Sequence, residues 1–225
     1  PFARLKNFLK KATNEIPDFR LFLNESVKKQ MNFKDQIPFG FRDMGVDLHW
    51  GANQEVEKEF DFIYVGSTAN NRKLEKILMC FTKGTFQESS LLIVSDGYSS
   101  LQQQFSSFPN ISFKGPATRT EILHYIQSAR YGLNYIPNEY PFNIQTSTKF
   151  LEYCQTKIPV VTTDYEWVRA FQNGNGGNYF YLNHDLSNFQ KDQLDVFPFT
   201  FPDLTNWSWD QQINGSGIVD FLLNQ

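Results

Sequence analysis

The strongest constraint on the fold is an alternation of short apolar runs with segments of helical periodicity between residues 60 and 164. The apolar runs are residues 60–65, 90–94, 111–113, 131–136 and 159–161. Strands that alternate with helices form a parallel sheet, because each helix carries the chain back to the edge where the next strand starts. The near-continuous apolar run at 90–94 is typical of a strand covered on both faces. We therefore predict an α/β, Rossmann-like parallel sheet with helices on both faces.

The remaining segments carry weaker signals. Helices are predicted over residues 25–31, 74–81, 99–106, 121–130 and 167–171, with Thr120 as an N-cap. Residues 18–24 and 179–182 are predicted strands, residues 37–47 a linker, and residues 173–177 a turn rich in Asn and Gly. The C-terminal residues predict a helix interrupted by Gly215 and Gly217.

One helix start carries a pattern that suits an anion. Thr146, Ser147 and Thr148 precede a helix whose first turn holds Lys149, followed one turn later by Glu152. The first turn leaves backbone N–H groups without intrahelical partners and carries the positive end of the helix dipole. A lysine there opposes the dipole and costs a little stability. A phosphate that binds both the lysine and the free N–H groups would offset this cost. Glu152 would then reach past the phosphates to the hydroxyls of a sugar such as ribose.

The same residues have a purely structural interpretation. A Ser or Thr before a helix most often acts only as an N-cap. A Lys and a Glu three residues apart on a helix most often form a solvated surface pair. The stretch alone leaves both interpretations open.

The run from Ser147, S-T-K-F-L-E-Y-C, followed by Pro159-Val160-Val161, resembles a segment of nucleotide-sugar glycosyltransferases of the two-Rossmann-domain, or GT-B, type, similar to family 4. The resemblance implies the C-terminal, donor-binding half of that fold. It implies that Glu152 holds the donor's ribose and that the residues before it surround the diphosphate. The first acid of the family's spaced acidic pair would fall eight positions earlier, where this chain has Ile144.

The resemblance also places donor contacts after the first strand of the domain. Gly66 would let the backbone approach the ligand closely. Either Arg72 or Lys73 would reach the diphosphate, whereas Ser67 stands where these enzymes usually have an arginine. Arg72 and Lys149 are the predicted catalytic residues, because they would stabilise the charge that grows on the departing diphosphate.

A third segment is implied to line the nucleobase pocket. Phe113 and Lys114 end the strand at 111–113 and are followed by Gly115-Pro116. In the resembling enzymes, backbone groups of this turn contact the base. Phe113 and Lys114 therefore complete the predicted nucleotide-sugar site.

The resemblance predicts three regions: residues 1–55 as the remnant of an N-terminal domain with its linker, 56–185 as the nucleotide-sugar-binding domain, and 186–225 as a C-terminal segment packing back toward the N-terminal part. Trp207 and Trp209 would serve that docking or belong to the core. Pro1 in place of Met is expected of a fragment whose upstream Rossmann domain is missing, and such a fragment would bind donor yet transfer little sugar by itself.

The predicted function is a hexosyltransferase reaction from a nucleotide diphosphate sugar, with UDP as the expected nucleotide, to a glycan or lipid-linked acceptor in polysaccharide or glycoconjugate synthesis. A non-catalytic Rossmann-like scaffold module is the alternative from another class. A sugar-nucleotide epimerase of the same architecture is the alternative enzyme.

Composition limits the kinds of ligand that the chain is expected to bind. A net charge of −3 argues against nucleic acid as the main ligand, so phosphate has to be met by a local site. The His and Cys residues are not spaced as metal ligands, and no D-x-D motif follows a predicted strand. We therefore expect no metal or other cofactor. Cys80 and Cys154 are far apart in the sequence, and we expect both to be free thiols. Free thiols are consistent with the predicted cytoplasmic location. The cationic segment 2–12 predicts a helix that packs on its own domain or lies peripherally on an acidic membrane surface.

Overall fold

The computed structural model describes residues 16–50, 56–96 and 100–224. These residues belong to two compact units: the described residues up to 43 together with 212–224 form the first, and the described residues between 44 and 211 form the second. The predicted helix at 2–12 lies outside the described residues. Within the described ranges, no helix is both long enough and apolar enough to cross a bilayer.

The first unit contains a short parallel pair, β1 (Arg20–Phe22) and β2 (Phe39–Phe41), with helix α1 (Glu25–Met31) between them. Asn24 caps α1 by accepting a hydrogen bond from the Val27 amide at 2.9 Å. Strand β2 lies where the sequence predicts a linker. Gly40 permits it, because a Cβ there would lie 1.8 Å from the Ser216 carbonyl oxygen.

The second unit is organised around a six-stranded, all-parallel sheet. Its strands are β3 (Phe60–Val65), β4 (Leu91–Val94), β5 (Ile111–Lys114), β6 (Ala129–Asn134), β7 (Val160–Thr163) and β8 (Phe180–Leu182). They are ordered β5-β4-β3-β6-β7-β8. The strand order reverses between β3 and β6, and a crevice at such a point is where ligands bind open α/β sheets.

Helices cover both faces of this sheet. The remaining α-helices among the described residues are α2 (Glu75–Leu78), α3 (Ser100–Phe105), α4 (Arg119–Gln127), α5 (Thr148–Gln155), α6 (Glu166–Asn175), α7 (Lys191–Asp195), α8 (Trp209–Asn214) and α9 (Ile218–Leu223). Phe62 and Tyr64 of β3 belong to the core cluster that includes α2, α3 and α7, whereas Ile63 belongs to the cluster that includes α4, α5 and α6. The predicted Rossmann-like fold with helices on both faces is therefore confirmed.

Several element boundaries differ from the prediction by a few residues, and side-chain hydrogen bonds account for two of them. Helix α4 begins after Thr118, not Thr120, because Thr118 and Glu121 form a reciprocal capping box. Strand β6 ends at Asn134, two residues before the predicted end, and the Ile136 amide instead donates to the Thr163 hydroxyl at 3.0 Å.

The predicted turn at 173–177 is shorter than expected. Helix α6 continues through Gly174 to Asn175, whose side-chain amide donates to the Phe171 carbonyl at 2.9 Å. The turn falls on Gly176 and Gly177, which have φ angles of 74° and 87°. Trp207 packs against Phe171, with 4.9 Å between ring centroids, so it belongs to the core of the second unit.

Helix α5 packs closely against the sheet where Tyr153 contacts Gly132 of β6. A Cβ at Gly132 would lie 2.5 Å from the Tyr153 ring, which is fully buried. We expect Gly132→Ala to lower the free energy of unfolding by about 1–3 kcal/mol through overpacking. Chemical denaturation measures this.

The control is Gly174→Ala in α6, where a new Cβ meets nothing within 4 Å. That variant gains helix propensity and should be neutral or slightly stabilised. Equal effects of the two alanines would contradict the packing explanation.

Candidate functional site

A cavity of about 200 Å³ opens at the carboxyl edge of the sheet, between the ends of β3 and β6. Seven of the predicted site residues line it together: Gly66, Ser67, Arg72, Thr146, Ser147, Thr148 and Lys149. The structure thus joins the turn after β3 to the start of α5. Lys73, Phe113, Lys114 and Glu152 are not among the residues that line this cavity.

Lys149 is the most unusual residue of this cavity. Its side chain is only 8% exposed, and it makes no hydrogen bond or ion pair with any residue that the structure describes. The ammonium lies 4.4 Å from the centroid of the Tyr64 ring. Burial lowers the pKa of Lys149 to about 7; the nearby Arg72 guanidinium lowers it too, whereas Glu152 opposes the shift. A buried cation without an anion beside a cavity marks a place where an anion would be stabilised.

The start of α5 is fixed by a buried hydrogen-bond network. Ser147 is the N-cap: its hydroxyl accepts from the Phe150 amide at 3.4 Å and donates to the Asn134 side-chain oxygen at 2.7 Å. Asn134 is fully buried and donates to the hydroxyls of Thr162 and Tyr165, at 2.9 and 3.2 Å. Because Ser147 is engaged in this way, it positions the helix start, and the first-turn amides of Thr148 and Lys149 are the groups left for a ligand.

The network includes Asn134, a residue that the sequence analysis does not place at the site. The sequence analysis predicts Asn134 only as part of an apolar strand. Its signal is a polar side chain inside the run G-L-N-Y-I, where a buried amide needs partners. Tyr153 of α5 is a second such residue: its hydroxyl accepts from the Val65 amide at 3.0 Å, next to Gly66.

The turn after β3 brings the backbone close to Lys149. Gly66 has a φ of +133°, a conformation that favours glycine, and a Cβ there would lie 3.9 Å from the Lys149 nitrogen. The Tyr64 hydroxyl holds the turn by donating to the Ser67 carbonyl at 2.9 Å. The Ser67 hydroxyl accepts weakly from the Ala69 amide at 3.3 Å.

The structure separates the two candidate phosphate cations. Arg72 lines the cavity with Lys149, and its guanidinium lies 4.4 Å from the centroid of the Phe142 ring. Lys73 has a φ of 54° and points instead toward Glu139, with which it forms an exposed ion pair at 2.6 Å. Lys73 and Glu139 line a neighbouring cavity of about 490 Å³. Arg72 is therefore the cation that accompanies Lys149.

Glu152 lies one turn beyond Lys149 and is half-buried. Burial raises the pKa of its carboxyl to about 7, although Arg119 and Lys149 both act to lower it. Arg119, at the start of α4, was not predicted. Its guanidinium lies 5.0 Å from the centroid of the Trp50 ring and 3.9 Å from Asp47.

Phe113 and Lys114 end β5, the edge strand, which is separated from β3 by β4. Phe113 is half-buried against the core, whereas Lys114 is exposed and its carbonyl accepts from the Ser95 amide at 3.1 Å. Both residues lie at the carboxyl edge of the sheet, yet neither lines the cavity around Lys149. Their predicted contact with a nucleobase stays a prediction. In the described part of the chain, no three His, Cys, Asp or Glu side chains are placed to hold a metal ion.

Comparison with known proteins gives a match in structure. No protein-family model matches the chain, and no curated protein matches it in sequence. The crystal structure of AviGT4, a glycosyltransferase involved in avilamycin A biosynthesis, is similar with a TM-score of 0.57 and 14% identity, covering 93% of this chain and 64% of that one. The crystal structure of TarM is similar with a TM-score of 0.62 and 14% identity, covering 98% of this chain and 45% of TarM.

Two complexes extend the comparison. A TarM mutant from S. aureus, in complex with fondaparinux, alpha-GlcNAc-glycerol and UDP, has a TM-score of 0.59 and 13% identity, covering 86% of this chain and 39% of that one. The UDP-GlcNAc 2-epimerase of Methanocaldococcus jannaschii, in complex with UDP-GlcNAc and UDP, has a TM-score of 0.50 and 13% identity, covering 92% of this chain and 61% of the epimerase.

These likenesses establish the fold. They confirm that the chain has the fold of GT-B glycosyltransferases, as the resemblance predicts. Membership of family 4 stays a prediction. The chain spans less than two thirds of AviGT4 and less than half of TarM.

The uncompensated lysine should make stability depend on pH. The folded pKa of Lys149 is about 7, against an ordinary value of 10.5. Between these values the unfolded chain binds more protons, so the contribution of Lys149 to the free energy of unfolding rises with pH and is lost as pH falls to about 7. Lys149→Met should therefore raise the free energy of unfolding on the order of 3 kcal/mol near pH 6, and progressively less toward pH 10.5.

Glu152→Gln is the matched variant on the same helix. The pKa of Glu152 is raised from 4.5 to about 7, so its stabilising contribution is present at low pH and is lost as pH rises through that interval. Chemical denaturation of each variant from about pH 4.5 to pH 10.5 should show the Glu152 effect below about pH 7 and the Lys149 effect above it. A Lys149→Met curve parallel to that of the wild type would show that Lys149 has an ordinary pKa.

Proposed function

We propose that this chain is the donor-binding part of a glycosyltransferase that takes its sugar from a nucleotide diphosphate sugar. The observation that carries the proposal is the buried Lys149 ammonium, which lines a cavity together with Arg72 and has no ion-pair partner among the described residues. A diphosphate bound in that cavity would be the anionic partner of the two cations.

The same geometry supports a chemical role. As the bond between sugar and diphosphate breaks, negative charge grows on the leaving diphosphate. Lys149, Arg72 and the first-turn amides of α5 would stabilise that charge, and groups already fixed in place need little reorganisation. Ser147 and Asn134 hold the helix start, so they act through positioning and not through contact with the ligand.

UDP is the nucleotide that we propose, since it is present in the TarM and epimerase complexes with which this chain shares its fold. Glu152 would accept hydrogen bonds from the ribose. A glycan or lipid-linked molecule is the proposed acceptor, and the group that activates it would come from residues beyond this chain, since the chain spans only part of its structural relatives.

A sugar-nucleotide epimerase is the second candidate, favoured by the likeness to the UDP-GlcNAc 2-epimerase fold. Both enzymes would bind a nucleotide sugar in the same cavity. Product analysis separates them, because a transferase consumes the donor only when an acceptor is present, whereas an epimerase converts it alone. A scaffold module would bind no nucleotide sugar.

A thermal-shift series with UDP, GDP and their sugars tests donor binding directly. A ligand that binds only the folded chain raises the melting temperature by mass action. We expect UDP or a UDP-sugar to raise it, and uridine, which lacks the diphosphate, to have little effect. No shift with any nucleotide would refute donor binding by this chain.

Arg72 and Lys73 form a matched pair for mutation, because they are adjacent but face different cavities. Arg72→Ala is expected to weaken UDP binding at least about tenfold, through loss of a charge-assisted contact. Lys73→Ala should change it less than about twofold, since an exposed ion pair contributes little. Calorimetry measures both; a larger loss for Lys73→Ala would move the diphosphate to the neighbouring cavity.

A further inference from the structure

The neighbouring cavity, of about 490 Å³, opens at the same carboxyl edge of the sheet as the cavity of Lys149. Its walls come from the ends of β6, β7 and β8 and from the segment that carries Lys73 and Lys76. The volume lies in the range typical of small-molecule sites, about 300–1,000 Å³. Ile136 lines both cavities, so ligands bound in the two would be neighbours.

Tyr135 gives the neighbouring cavity a polar group without a partner. The residue is only 8% exposed, and its ring belongs to the core cluster that includes Leu182 and Leu186. Its hydroxyl makes no hydrogen bond with any residue that the structure describes. Buried hydroxyls are costly when they lack a partner, and most of those in folded proteins have one. Because Tyr135 lines the cavity, a polar ligand bound there would supply the missing hydrogen bond.

The end of β6 positions both cavities. Asn134 and Tyr135 are consecutive, and consecutive residues of an extended chain project to opposite faces of a sheet. Asn134 accepts from the Ser147 hydroxyl at the start of α5. Tyr135 lies on the other face, in the core cluster that includes α2, α3 and α7. One residue thus fixes the helix start beside Lys149, and the next presents its hydroxyl to the neighbouring cavity.

The charged side chains of the neighbouring cavity are already paired. Lys73 forms its ion pair with Glu139 at 2.6 Å. Asp164 accepts two hydrogen bonds from the Arg169 guanidinium, at 2.7 and 2.6 Å. Lys149 has no such ion pair among the described residues, so its cavity suits an anion. The neighbouring cavity instead suits an uncharged ligand that offers hydroxyl groups.

The other groups of this cavity suit a sugar ring. The Lys76 ammonium donates to the His184 carbonyl oxygen. The Asn138 side chain is exposed and makes no hydrogen bond within the described ranges, so its amide can bind a ligand hydroxyl. Leu182 and Leu186 add buried apolar surface. A pyranose carries hydroxyls around its edge and C–H groups on its faces, so it would contact both kinds of surface.

We propose that the neighbouring cavity binds a neutral sugar of the acceptor, beside the diphosphate of the donor. The proposal rests on the proposed function and names where the acceptor saccharide lies. Ile136, which lines both cavities, is held in place: its amide donates to the Thr163 hydroxyl at 3.0 Å, and that hydroxyl donates to the Ile136 carbonyl at 2.7 Å. A wall fixed in this way favours two separate molecules over one donor that fills both cavities.

The test is NMR spectroscopy of the isotope-labelled chain, alone and with saturating UDP. The probes are the methyl glycosides of glucose, galactose, mannose and N-acetylglucosamine. We expect at least one of them to shift the backbone amide signals of Ile136, Asn138 and Asn183 under both conditions. Tyr135→Phe keeps the ring in the core and removes only the hydroxyl, so it should weaken that binding about two- to tenfold.

Tyr131→Phe is the matched control on the same strand. The Tyr131 hydroxyl donates to Asp195 at 3.3 Å, and Tyr131 does not line the neighbouring cavity. This variant should bind the glycoside as the wild type does. Unchanged affinity in Tyr135→Phe, or an equal loss in both variants, would overturn the proposal. Absence of a shift with all four glycosides would overturn it as well.

Two further probes identify the source and the charge of the ligand. If UDP-GlcNAc, but not UDP, shifts the Ile136 and Asn183 signals and competes with the glycoside, the cavity holds the donor's sugar and the acceptor assignment is overturned. Shifts caused by inorganic phosphate in place of the glycosides would overturn the neutral class. The response of the Gly66 and Lys149 amides to UDP reports separately on the proposed function: glycoside binding without that response would refute donor binding and support only the sugar site.

Discussion

The hydrogen bond between Ser147 and Asn134 determines where α5 begins, and the site depends on that position. It joins the helix start to the end of β6, while the Tyr153 hydroxyl joins the same helix to the end of β3. The two strands on either side of the reversal in strand order are thus tied to one helix. Because Asn134, Ser147 and Tyr153 are buried, the spacing between Gly66 and Lys149 is set by the core.

This fixed spacing has an electrostatic cost. The chain holds a lysine in low-dielectric surroundings, beside an arginine and over an aromatic ring. Stability alone would favour an apolar residue there, since a cation in such a place gains little from the fold. Residues that cost stability and share a cavity are typical of binding and catalytic sites. Burial that would be unfavourable in the free protein therefore becomes useful once an anion fills the cavity.

Much of the fold could be predicted from the sequence, because apolar runs and helical periodicity record which residues are buried. The run at 60–65 matches β3 at both ends. Boundaries set by specific side-chain hydrogen bonds are harder to predict. Thr118 and Thr120 are both residues that cap helices, and the capping box with Glu121 selects Thr118. The pairing of β1 with β2 depends on chain segments far apart, which local patterns do not encode.

The structure brings the predicted site residues of one continuous segment together in one cavity, whereas it brings together only some of those from distant segments. Thr146 to Lys149 are consecutive, so the helix start alone groups them. The choice between Arg72 and Lys73 depends on the left-handed conformation of Lys73, which the sequence does not reveal. Arg119 and Asn134 come from separate strands and helices, and only the packed sheet shows what they contact.

A crystal structure of this chain with UDP would test the central claim most directly. Our account predicts that the diphosphate lies between Gly66 and the start of α5, with oxygens within hydrogen-bonding distance of the Lys149 nitrogen and the Thr148 amide. A diphosphate bound in the cavity of Lys73 and Glu139, or anywhere that leaves Lys149 without an anion, would contradict it.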